Sequence, residues 1–450
     1  MKLLILLALT LVVLSGCSAK KITKVSDKEQ ALIQTVNAYP KDNQALLELT
    51  RYQLEQYDLN KDAKYLDNLL VNLKKVVETN PNERRMIYRY YRLNLLKSVA
   101  NKSFDLHKWN GFYLRHPFLA TLDLAPPPYL IHLIEDLPAV DKIEALQSSI
   151  RANPNFISAY LDLAEIYYEM KKPELAIYLL SAASKRDKEN YKALTWLNFV
   201  RLDYVEAKMC ERDMSASLAL GFEEAKRLTK LNPKDADYQF QLANVMRHLG
   251  KFPLSVYSAK KAAALDAENY SFFLESYFWN NNLDKIYDEV EKKGRRNFDS
   301  HSLHVLIYAH LVEQNWFEAS VLLNEYIDKP DFGFYGVLYG HYSYKILGDS
   351  QSANSLIQGA LLRANPTQWQ QKMLHFIQDK TNESQFLAQA LNRCQESEAQ
   401  FLLGLDSLYK DDKDKFKRHL ERVIELDVKA YFEYAAARNM LKRLERGHQL

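Results

Sequence analysis

Four stretches of this chain carry small residues at the same places in frames of equal length, and that recurrence limits the fold more than any other feature. In residues 157–190, Tyr160, Leu163, Ala164, Tyr167, Ala176, Leu180 and Ala183 fall at frame positions 4, 7, 8, 11, 20, 24 and 27. Residues 236–269 place Leu242, Ala243, Gly250, Ser255, Ala259 and Ala262 in the same phase. Residues 300–333 carry Leu306, Ala319 and Leu323, and residues 334–367 carry Tyr344, Gly348, Ala353, Ile357 and Ala360. Small side chains let two helix axes approach, and large apolar ones fill the space between them. Asn-Pro pairs at 80–81, 153–154, 232–233 and 365–366 mark unit ends, because proline cannot continue a helix. Gly250 and Gly348 fall in the turn between two helices, where a left-handed residue is needed.

The pattern resembles the tetratricopeptide (TPR) repeat, whose length is about 34 residues. That resemblance implies an all-α solenoid of antiparallel helix pairs. Composition agrees. Only 12 Gly and 13 Pro occur in 450 residues, which is sparse for a fold rich in β-turns or phosphate loops. With 47% hydrophobic and 26% charged residues, a core is available and disorder is not expected.

Other units are degenerate. Between 191 and 235 the first helix is extended, and 270–299 makes a short unit from Tyr270 to Trp279 and Leu283 to Val290. Apolar spacing predicts helices over 29–38, 43–57, 63–78 and 83–99. Residues 101–136 break the pattern with Gly111, His116-Pro117 and Ala125-Pro126-Pro127-Pro128, yet stay aromatic at Phe104, Trp109, Phe112, Tyr113 and Phe118. This segment therefore reads as a packed connector. It divides an irregular helical region, 29–136, from a TPR superhelix over 137–450.

Residues 334–445 carry a second resemblance. Trp369, Phe376, Phe386 and Ala390 precede Cys394, Glu398-Ala399, Phe401-Leu402-Leu403-Gly404 and Leu408; Leu420, Val423, Tyr431-Phe432-Glu433 and Ala436 follow. This resembles the last repeats of bacterial TPR lipoproteins of the NlpI type. The chain departs from that type where Asp411-Asp412-Lys413-Asp414 replaces a Gly-Asp turn and where Phe416 replaces a small residue.

Residues 1–16 read as a secretory signal: Lys2, an apolar run from Leu3 to Leu14, then Ser15-Gly16. The run is shorter than the ~20 residues a spanning helix needs. Leu14-Ser15-Gly16-Cys17 resembles a bacterial lipobox, which implies cleavage before Cys17, a diacylglycerol thioether on its sulfur and acylation of its amine. An ordinary signal peptide with Cys at the mature end is the alternative. Several acyl chains on one residue anchor stably, whereas a single chain does not. Ser18, rather than Asp, implies delivery to the outer membrane, facing the periplasm, on a short tether over 17–28. The membrane is then engaged through the lipid anchor only.

Two cysteines remain, Cys210 and Cys394. They read as small buried thiols, with pairing in an oxidising periplasm as the alternative. The net charge of +3, from 60 basic and 57 acidic residues, concentrates no basic patch and argues against nucleic acid.

No nucleophile elbow, phosphate loop, dinucleotide fingerprint or zinc-protease motif occurs. His301 and His304 share a helix face but lack a companion ligand set, and Asp411 to Arg418 reads as a solvated turn. The sequence points to neither enzyme, cofactor nor metal.

What remains is a surface. The TPR resemblance implies that frame positions 2, 5, 9 and 12 line a concave groove. These are Ser158, Leu161, Glu165 and Tyr168; Asp237, Phe240, Asn244 and Arg247; His301, His304, Tyr308 and Leu311; and Tyr335, Leu338, Tyr342 and Lys345. Tyr168, Phe240, Arg247, Tyr308, Tyr342 and Lys345 are the partner-groove candidates, since aromatic residues and Arg dominate binding hot spots. The expected function is an outer-membrane adaptor that scaffolds envelope proteins or their peptide segments, such as peptidoglycan hydrolases or a protease. The alternative is a pilotin-like or barrel-assembly-like factor for an outer-membrane or secretin client. A homodimer is left open.

Overall fold

A computed structural model describes residues 27–60, 63–100 and 138–446, with Phe112, Arg115, His116, Phe118, Pro128 and Tyr129 between them. Cys17 and the lipobox lie outside the described residues, as do Phe104, Trp109 and Tyr113 of the connector. Every α-helix or 3₁₀ turn among the described residues is accounted for without a strand, and the fold is an all-α TPR solenoid. The chain divides into two compact units, 1–159 and 160–450.

In the first unit, α1 (Asp27–Ala38), α2 (Asn43–Asn60), α3 (Ala63–Thr79) and α4 (Arg84–Ala100) follow the predicted spans closely, and α5 (Ala139–Ala152) groups with them. The core forms where the apolar stripe of α3 (Leu69, Leu73 and Val76, none of them exposed) meets Leu54 of α2 and Met86, Ile87 and Tyr91 of α4. Those α3 residues recur at helical spacing, which puts them on one face. Phe112 stacks near-parallel on Tyr91 at 6.1 Å, and the Arg84 guanidinium lies 5.6 Å from the Phe118 ring. At these two positions the aromatic connector is packed.

The second unit is a run of helix pairs. They are α6 (Ile157–Glu169) with α7 (Pro173–Arg186), α8 (Tyr191–Lys208) with α9 (Ser215–Leu231), α10 (Ala236–His248) with α11 (Phe252–Leu265), and α12 (Tyr270–Trp279) with α13 (Leu283–Lys293). Then come α14 (Ser300–Glu313) with α15 (Trp316–Ile327), α16 (Phe334–Ile346) with α17 (Ser350–Arg363), α18 (Gln368–Ile377), α19 (Glu383–Leu387), α20 (Arg393–Tyr409) with α21 (Lys413–Glu425), and α22 (Phe432–Glu445). In all four predicted frames the second helix starts at the same offset from the first: 157 and 173, 236 and 252, 300 and 316, 334 and 350.

The small frame residues sit where paired helices cross. Ala164, Ala176, Ala183, Ala243, Ala259, Ala262, Ala319, Ala353 and Ala360 are all fully buried. At Gly340 the approach of α15 to α16 is so close that a Cβ would strike Leu323. The turn position is left-handed in every frame. Gly250 (φ 70°) and Gly348 (φ 81°) take it without strain, while Lys171 (φ 58°) and Gln314 (φ 59°) take it as ordinary residues. Asp411 (φ 57°) does the same where the NlpI-type turn would carry Gly, and Phe416 is buried where a small residue was expected.

The reading of Cys210 and Cys394 as free thiols is corrected. They form a disulfide that joins the end of the α8 region to the start of α20 across 184 residues. Nothing in their spacing signals this. The pairing arises because the coil brings α20 back against the turn after α8, where Arg393 also donates to the Met209 carbonyl.

Candidate functional site

The first helices of the repeats converge, and the chain's own C-terminal helices fill the space between them. The α14 and α16 helices are apolar around most of their circumference, with Leu303, Ile307, Tyr308, Leu311, Val337, Leu338, Tyr339 and Tyr342 all buried. A helix of that kind must be covered on every side. The cover is α20 and α22. Asn439 donates to the Phe278 carbonyl at 2.8 Å, Arg443 pairs with Glu313 at 3.2 Å, and Trp279 Nε1 donates to the Lys429 carbonyl at 2.8 Å. The Phe432 ring inserts among Trp279 (4.5 Å), His304 (4.7 Å) and Tyr308 (4.9 Å).

Two groove candidates are therefore corrected. Tyr308 and Tyr342 have no exposed surface. Tyr308 lies between Phe278, Phe401 and Phe432, and the Tyr342 hydroxyl donates to Asp406 of α20 at 3.3 Å. These two positions face a core rather than an open groove.

The other four keep some surface, each already engaged. The Tyr168 hydroxyl donates to Asp203 at 2.9 Å, with its ring edge-on to Trp196 and Phe199. Phe240 packs on Phe272 at 4.5 Å. The Arg247 guanidinium pairs with Glu275 and lies over Phe272 and Trp279. Lys345 sits 5.2 Å from the Tyr409 ring and 5.7 Å from that of Tyr342. Burial pushes the Glu275 carboxyl up, but Arg247 and His301 outweigh it and hold it below its ordinary value.

Where α14, α16, α20 and the start of α22 meet, they leave a cavity of about 540 Å³. Its rim is His301, Asp331 and Gly333, all exposed. Half-buried Tyr335, Tyr431 and Phe432 form walls, and the buried floor is Tyr308, Tyr326, Glu398 and Glu433. Tyr326 shapes one side: its hydroxyl bonds both the N–H and the carbonyl of Gly333 (2.6 and 2.9 Å) and meets His304 Nδ1 at 2.9 Å. Ser300 donates to Asp331 at 2.7 Å.

The floor is electrostatically unusual. Trp369 Nε1 (2.5 Å) and the Tyr335 hydroxyl (3.1 Å) both donate to Oε2 of Glu398. Burial, and then the nearby Glu433, push the Glu398 carboxyl up despite those donors. Burial likewise pushes Glu433 up. Two carboxyls in one low-dielectric site resist ionising together. Burial pushes His304 down to about 3, so it stays neutral. His301 turns to Glu275 at 2.5 Å while His304 turns to Tyr326, so the two histidines do not converge. Among the described residues no group of three His, Cys, Asp or Glu side chains is placed to hold a metal.

The sequence reading missed this floor. Glu398 and Glu433 did stand out in it, but only as parts of the NlpI-like helices. Their meeting depends on the coil folding α20 and α22 back onto α14 and α16.

Among the described residues no helix is long and apolar enough to cross a membrane. No known protein family and no curated protein matches the chain. Solved structures similar to parts of it include a tetratricopeptide repeat protein from Parabacteroides merdae ATCC 43184 (12% identity, 68% of this chain and 92% of that one, TM-score 0.33). Others are the MamA protein (19%, 31% and 72%, 0.27) and YrrB, described as a TPR protein with an unusual peptide-binding site (10%, 53% and 94%, 0.25).

Proposed function

We propose that this chain is a lipid-anchored adaptor of the bacterial outer membrane that holds a segment of a partner protein, in the periplasm, at the cavity of its repeat wall. The single observation that carries the reading is the cavity itself. Four helices from separate repeats shape it, its rim is open at His301, Asp331 and Gly333, and its polar floor lies beneath aromatic walls. Preformed clefts of this size with a few convergent polar groups are the usual form of a binding site. A stacked solenoid presents such a site without moving parts. The Leu14-Ser15-Gly16-Cys17 sequence supports the anchor. Envelope enzymes, such as peptidoglycan hydrolases or a protease, are the partners we favour.

The test has two arms. Cys17→Ser should leave the precursor uncut and remove the protein from outer-membrane fractions; a processed variant still in that fraction defeats the anchor. A photo-crosslinking residue at Asp331, on the rim, should trap an envelope protein. The same probe at Tyr257, which is 62% exposed and outside the cavity lining, should not. Equal trapping at both positions, or trapping at Tyr257 alone, defeats the cavity as the binding site.

A further inference from the structure

The cavity lining holds three acidic side chains, Asp331, Glu398 and Glu433, and no lysine or arginine. One group on the floor is also left without a partner. The Tyr308 side chain is fully buried, and its hydroxyl makes no hydrogen bond. Tyr308 lines the cavity together with Glu433, Tyr326, Glu398 and Tyr335. A buried hydroxyl without a partner costs stability and is retained where something else satisfies it. Both protein donors to Glu398 go to Oε2, and neither reaches Oε1.

From this geometry we infer that the cavity is a receptor for one organic cation, the ammonium or guanidinium group of a lysine or arginine side chain on the partner segment. An ammonium has three N–H donors and no acceptor. The floor offers acceptors from Glu398, Glu433 and the Tyr308 hydroxyl. The rings of Tyr335, Tyr431 and Phe432 stand around it, and aromatic rings attract a cation at their faces. A long aliphatic stem would lie along those rings while its charged end reaches the floor. The inference rests on the adaptor reading, and it names the chemical feature of the segment that is held.

The test is calorimetric titration of the full chain in detergent with Nα-acetyl-lysine methylamide and with its norleucine counterpart, which keeps the stem and loses the charge. The lysine compound should bind at least tenfold more tightly. The double variant Glu398→Gln with Glu433→Gln should weaken it tenfold or more with circular dichroism unchanged. Tyr308→Phe, which removes only the hydroxyl, should weaken it severalfold and guards against a folding defect in the double variant. Absence of binding at millimolar lysine compound, equal binding of norleucine, or unchanged binding by the double variant overturns the site. Cadaverine serves as a free amine: if it binds while a lysine-centred tripeptide does not, the assignment to a partner segment is overturned. If the Asp331 crosslink forms equally in wild type and double variant and no probe binds, the cation site fails and the adaptor reading stands.

Discussion

The indole N–H of Trp279 donates to the carbonyl of Lys429, 150 residues further along the chain, at 2.8 Å. It is one of the bonds that hold the C-terminal helix against the inner wall, and it sits beside the Phe432 ring that closes the cavity. Trp279→Phe keeps most of the ring and leaves that carbonyl without its donor. The expected loss is about 1–2 kcal/mol in urea unfolding. Trp279→Ala should cost about 3–5 kcal/mol, because the cavity it opens adds to the lost bond.

Tyr342, at frame position 9, and Tyr168, at frame position 12, are both groove candidates and should nevertheless respond very differently. Tyr342 is wholly buried against α20, so Tyr342→Ala should destabilise by about 3–5 kcal/mol. Tyr168 is half-buried, so Tyr168→Ala should cost less than about 2 kcal/mol. Thermal unfolding followed at 222 nm compares them. Equal losses would mean that the inner wall is as closed at α6 as at α16.

These contrasts show what the sequence could convey. Helix starts, the crossing alanines and the left-handed turn position were legible, because each is local physics repeated four times. The closing of the wall was not. It depends on the angle between successive pairs, which leaves no periodic trace in the sequence. Tyr308 and Tyr342 were thus read as groove residues, yet what covers them comes from Phe401, Asp406 and Phe432, far away in the chain. The Cys210–Cys394 pairing and the meeting of Glu398 with Glu433 were hidden for the same reason.

Gln314 holds a left-handed conformation that Gly250 and Gly348 hold in the other repeats. An L-residue there is strained by the approach of Cβ to the following carbonyl, at a cost of roughly 1–2 kcal/mol. Gln314→Gly should therefore raise stability by up to about 1 kcal/mol, net of the greater freedom glycine gains on unfolding. Gly250→Ala should lower it, since the added Cβ would also press on the Lys429 side chain at 3.2 Å. A rise in urea midpoint for the first variant and a fall for the second is the expected pair of results.

The buried acids on the cavity floor tie stability to pH. Burial and Glu433 raise the Glu398 carboxyl in the folded chain, while in the unfolded chain it titrates near the ordinary ~4.3. The folded state then binds the proton more tightly. Its contribution to stability is full below the unfolded value and is lost as pH rises through the raised folded one. Glu398→Gln cannot titrate and still accepts from Trp369 and Tyr335. Its urea midpoint should fall less steeply than that of wild type between about pH 5 and about pH 9. Parallel profiles would show that Glu398 does not carry the proton.

A solenoid behaves as an open spring, in which each repeat touches its neighbours and either end can unwind first. The Cys210–Cys394 bond clips this spring to its own middle. The repeats between α8 and α20 cannot then come apart one by one, since the strip from α8 to α20 has become a covalent loop. Oxidised chain should unfold residues 210–394 as one unit, at a higher urea midpoint than reduced chain. With dithiothreitol present that midpoint should fall, the start of α20 should come away from the turn after α8 more readily, and Tyr431, whose hydroxyl lies 3.6 Å from the Cys210 sulfur, should lose its fixed place beside the cavity. The shape of the cavity would thereby depend on the thiol balance around it.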